Sequence, residues 1–78
     1  MKSIRLMVDK QPEKKKIDIN VYYKEQIILV FSAWEFGRDW KWGTVDGEQI
    51  SEENKNKIKR VTDSYADCFF DKRLISLE

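Results

Sequence analysis

Through its first two thirds the chain alternates apolar and polar residues with a period of two, and toward its end the spacing lengthens to three and four. That change of period predicts strands followed by one helix. Between them stands Gln26-Ile-Ile-Leu-Val-Phe-Ser-Ala-Trp-Glu-Phe36, which opens with five consecutive large apolar residues, three of them β-branched. A run of this kind fits a central strand buried on both faces better than a half-wet one. Alternation then assigns Ile27, Leu29, Phe31 and Ala33 to one face and Ile28, Val30, Ser32, Trp34 and Phe36 to the other.

The remaining strands read from either side of this run. Ser3–Asp9 alternates with Ile4, Leu6 and Val8 on one face and Ser3, Arg5, Met7 and Asp9 on the other, which predicts a first strand at or near an edge. Lys10–Lys16 is a polar connector whose Pro12 lacks the amide hydrogen a ladder needs. Ile17, Ile19, Val21 and Tyr23 alternate with Asp18, Asn20 and Tyr22 in a second strand, and Lys24-Glu25 is a short break that predicts a tight hairpin. Asp18 and Asn20 make part of the outer face wet. Beyond the central strand, Gly37-Arg38-Asp39 supplies turn chemistry and Trp40–Val45 resumes alternation as a fourth strand. Asp46-Gly47 marks a further turn.

Ser51 ahead of Glu52-Glu53 is a helix start: a hydroxyl to cap free amides, and acids against the positive end of the helix dipole. Ile58, Val61, Tyr65, Cys68 and Phe69 then form a stripe that Thr62, Ala66 and Phe70 widen. Glu53–Lys57 and Lys59–Asp63 are expected i,i+4 charge pairs on the opposite side. Asp71–Arg73 reads as a stop, and Leu74–Glu78 either extends the helix or forms a short fifth strand. The expected fold class is α+β: a four-stranded, mainly antiparallel sheet of sequential hairpins with one C-terminal amphipathic helix on one face. Residues 1–78 make one small domain.

Composition narrows the chemistry. Fifteen basic and fourteen acidic side chains leave a net charge of +1, too little for the whole-molecule field that drives non-specific attraction to nucleic acid or anionic membrane. With one cysteine and no histidine, no internal disulfide and no Cys/His zinc site can form in one chain, so no metal or cofactor is expected. The first nine residues lack the apolar core of a signal peptide and no stretch reaches the roughly 18 apolar residues of a membrane span, which leads to an expected cytoplasmic location without membrane contact. General acid/base work has no histidine to use. Glu35, among Ala33, Trp34 and Phe36, reads as a surface glutamate at a strand end and not as a buried, perturbed acid. Cys68, late on the helical stripe near the negative end of the dipole, reads as core and not as a nucleophile. The glycine turns match no phosphate-cradling pattern, and the chain is not expected to be an enzyme.

The densest signal is Trp34-Glu-Phe-Gly-Arg-Asp-Trp-Lys-Trp42, because tryptophan and arginine are enriched at binding hot spots. Cross-strand tryptophans also complete small cores, so this hairpin is read both ways. One helix covers only one face of the sheet, and the other face needs an occupant. The expected function is therefore a small non-enzymatic protein-binding module of inhibitor, antitoxin or accessory-factor type. It would occlude a partner with the aromatic hairpin and the uncovered sheet face, through Tyr22, Ile28, Val30, Trp34, Phe36, Arg38, Trp40, Lys41 and Trp42. The occupant is a second copy, forming a homodimer, or a dedicated partner protein. The alternative is a nucleic-acid binder using Lys14–Lys16, Arg38, Lys41 and Lys55–Arg60, with Tyr22 and the tryptophans stacking on bases.

Overall fold

The computed structural model describes residues 4–70. Its alternating segments form β1 (Ile4–Gln11), β2 (Lys16–Tyr23), β3 (Gln26–Trp34) and β4 (Gly37–Trp42), in the sheet order β1-β2-β3-β4 with every neighbour antiparallel. Pro12–Lys14 makes a single 3-10 turn between the first two strands, closed by Lys15 with its N–H on the Pro12 carbonyl at 3.0 Å. Lys24 and Glu25 both take positive φ, 52° and 63°, the hand of two-residue turn that matches the twist of the flanking strands. Beyond β4, β5 (Thr44–Val45) and β6 (Glu48–Gln49) form a second, two-stranded sheet around Asp46-Gly47, and α1 (Glu52–Phe70) ends the described chain. The fold is the expected α+β arrangement with one helix on a four-stranded antiparallel sheet. The segment Leu74–Glu78, read as helix or fifth strand, lies outside the described residues.

The fourth strand begins and ends earlier than its alternation suggests. Gly37 and Arg38 are already ladder partners of Trp34 and Ala33, so the turn falls on Glu35-Phe36. The strand stops at Trp42 because Gly43 leaves the ladder and gives its N–H to the Ile28 carbonyl at 2.9 Å.

That carbonyl belongs to a β-bulge. Val21 pairs with Leu29 and Tyr22 with Ile27, which leaves Ile28 as an extra residue in β3. A bulge breaks period-two alternation locally. Ile27 therefore turns outward beside Tyr22, while Ile28 and Leu29 are both fully buried. The five-residue apolar run does not mark burial on both faces: two of its successive members enter one core, and Val30 and Ile27 stay exposed. Strict alternation assigns Ile28 to the face of Val30 and Trp34; the bulge removes it from that face.

The core consists of Ile17, Ile19 and Val21 from β2, Ile28, Leu29, Phe31 and Ala33 from β3, Ile50, and Ile58 and Ala66 from the helix. Leu6, Val8, Trp40, Trp42, Phe69 and Phe70 pack against it half-buried. Ser51 caps the helix as its sequence indicates: its Oγ accepts the Asn54 N–H at 3.2 Å and its carbonyl accepts the Lys55 N–H at 2.9 Å. The buried row is Ile58, Thr62 and Ala66, an i,i+4 line. Compared with the apolar stripe, this row is rotated by about 70° at 100° per residue. Val61, Tyr65 and Cys68, expected in the core, are exposed.

The rotation has a physical cause on β4. Arg38 holds the helix by Asp63 at 2.6 Å and Asp67 at 2.5 Å, and Trp40 gives its indole N–H to Thr62 Oγ1 at 3.1 Å. These contacts draw the helix toward β4 and leave its other flank over β1 open. The Glu53–Lys57 pair forms at 4.0 Å, but Asp63 serves Arg38 and Lys59 instead places its amine 4.8 Å from the Trp40 ring centre.

Candidate interaction surface

The helix covers one face of the sheet, and the face behind it is built from the outward residues of all four strands. Register places them in cross-strand rows. Arg5, Tyr22 and Ile27 form the row nearest the bulge. Next come Met7, Asn20, Val30 and Lys41, then Asp9, Asp18, Ser32 and Asp39. Gln11, Lys16, Trp34 and Gly37 form the last, at the end where the β1-β2 and β3-β4 turns lie side by side.

Polar contacts fix part of this face. Asp18 accepts Ser32 Oγ at 2.7 Å and Gln11 Nε2 at 2.7 Å, with Lys16 Nζ 3.6 Å away. Lys16 also reaches over the Trp34 ring, 5.4 Å from its centre, and the Arg5 guanidinium lies 4.8 Å from that of Tyr22. Between these groups the large apolar side chains stay accessible: Met7 is 55% exposed, Ile27 45%, Trp34 44% and Val30 38%. At the adjoining hairpin tip Phe36 is 95% exposed. An aromatic ring with that much water contact contributes almost nothing to the fold.

The residues expected to form one binding surface fall into three groups. Tyr22, Val30, Trp34 and Lys41 share the open face, with Phe36 at its end. Ile28 is buried at the bulge. Arg38, Trp40 and Trp42 point to the helix side: Trp40 packs on Phe31 with ring centres 5.2 Å apart, and the Lys55 amine caps Trp42 at 5.5 Å. The Arg38 guanidinium is raised above its ordinary pKa, first by its bond to Asp67 and, against some desolvation, by Asp63. It works as a clamp between sheet and helix. The aromatic hairpin is thus split by strand parity, with Trp40 and Trp42 structural and Trp34 and Phe36 outward.

Met7 was placed on the outer face by alternation alone, but Ile27 joins it only because of the bulge, for which the sequence carries no local signal. Among the described residues no cluster of histidine, cysteine, aspartate or glutamate is arranged to hold a metal ion, and no helix is long and apolar enough to cross a membrane. No family model matches the chain, and no match to it is found among curated proteins or solved structures.

Proposed function

We propose that this chain is a non-enzymatic protein-binding module, of inhibitor, antitoxin or accessory-factor type, that works in the cytoplasm by occluding another protein. The observation that supports this reading is Phe36, 95% exposed at the tip of the β3-β4 hairpin beside the half-exposed Trp34. A large ring with no folding role has most to gain by entering a partner's pocket, where burial is worth about 1.5–3 kcal/mol. The nucleic-acid alternative has less support. Of its stacking and phosphate groups, Trp40 and Trp42 lie beneath helix lysines and Arg38 is engaged by two aspartates.

The test is affinity capture from the native host with wild type and Phe36→Ser. A protein should be retained by the wild type and lost with the variant, whose thermal midpoint should stay unchanged because the ring packs on nothing. Retention of nucleic acid, released steeply as salt rises, would favour the alternative.

A further inference from the structure

Building on the protein-binding reading, we propose that a second copy of this chain covers the open sheet face, leaving the Phe36 tips for a heterologous partner. The two sheets pack face to face about a two-fold axis lying in the interface, at right angles to the strands. The axis runs midway between the Asn20–Val30 row and the Asp18–Ser32 row.

The charge pattern of the face selects this occupant and this axis. The two rows on the bulge side carry Arg5 and Lys41 and no acid; the next row carries Asp9, Asp18 and Asp39. Among the described residues neither Lys41 nor Asp39 has an ion-pair partner, and both are exposed. A two-fold rotation across the strands lays each strand over its own copy, reversed, and exchanges the halves of opposite sign. Lys41 then meets Asp39 of the second copy, and Asp39 meets its Lys41. By the same operation Asn20 meets Asp18, Tyr22 meets the Lys16 amine, and Ile27 meets Trp34. On β2 and β3, Lys16, Tyr22, Ile27 and Trp34 thus gain compatible neighbours, while Val30 meets Ser32 and, on β1, Met7 meets Asp9. The other in-plane axis, along the strands, sets β1 over β4 and brings Asp9 against Asp39, acid on acid. Aligned sheets cross at about 30°, an offset that a lysine side chain spans at the edge and that hardly matters at the centre.

Size sets the strength. Four strands about 4.8 Å apart and seven residues of about 3.3 Å give a footprint near 19 by 23 Å, before side-chain relief is counted. At about 440 Å² this flat footprint is roughly half of the about 800 Å² per partner that stable interfaces bury, in the range of weak, transient association. The dimer is therefore expected to be concentration-dependent, which keeps it measurable.

Sedimentation equilibrium across a concentration series should show the 9.4 kDa chain passing to twice that mass. Lys41→Asp and Asp39→Lys each set like charges together at two symmetric contacts and should weaken association by about tenfold or more. The double variant restores both contacts and should dimerise like wild type. Mixing the two single variants should give a heterodimer, since each supplies the charge the other lacks. Circular dichroism on every variant confirms the fold. A wild type that stays at 9.4 kDa at all concentrations overturns the proposal, as does a dimer indifferent to both single changes. So does a monomer that loses a captured protein on Val30→Glu, because the face then belongs to that protein. A monomer whose capture still depends on Phe36 would overturn the dimer and leave the protein-binding reading intact; a dimer that captures nothing would do the reverse.

Discussion

A methyl group does not fit at position 43. A Cβ there would stand 2.6 Å from the Ile27 carbonyl oxygen, a backbone atom that cannot swing aside, whereas at Gly37 it would meet nothing within 4 Å. Gly43→Ala should therefore cost about 1–3 kcal/mol, as overpacking does, read as a fall in the urea midpoint with unchanged slope. Gly37→Ala is the control and should leave the midpoint nearly in place. At Cys68 the structure reverses the reading made from its spacing. The thiol lies on the stripe but on the flank that the helix turns away from β4, and it is exposed. A thiol reagent should label the native protein about as fast as the unfolded one; strong native protection would show that the helix sits further round. What failed at this scale was the inference from periodicity to burial, since a stripe wider than the core leaves its margin in water.

Thr62 shows what fixes the helix as an element. It is fully buried although polar, because its hydroxyl donates to a carbonyl one turn back, Lys59 at 2.9 Å or Ile58 at 3.2 Å, and accepts the Trp40 indole N–H. Replacing it with valine keeps the shape but leaves that indole without an acceptor. Thr62→Val should destabilise by about 1–3 kcal/mol despite the added apolar group, and Thr62→Ser should recover much of the loss. A neutral or stabilising valine would mean that water satisfies Trp40. The helix start was legible, since Ser51 and the two glutamates act only locally. Its rotation was not. The rotation depends on Arg38, Trp40 and Trp42, residues far away in sequence that read equally well as interface, and on the Lys55 and Lys59 amines that sit over the two tryptophan rings.

At the scale of the whole molecule, the sheet of sequential hairpins, its sheet order and the single covering helix could all be read from the chain, because turn chemistry and alternation are local and cooperate. The extent of the uncovered face could not. Half of the suspected hairpin proved structural through strand parity, and Ile27 exchanged places with Ile28. That exchange bears on how the chain settles its alignment during folding. Every residue from Ile27 to Phe31 is apolar enough to point inward, so the extra residue could sit at several neighbouring positions with little change in burial, and the composition of the run does not choose among them. Gly43 chooses: its N–H takes the Ile28 carbonyl, and its missing side chain is what allows that approach. The glycine thus acts at a distance as the selector of one alignment among near-degenerate ones, and a chain with alanine there should populate a slipped form, seen as a second set of amide resonances for residues 27–31.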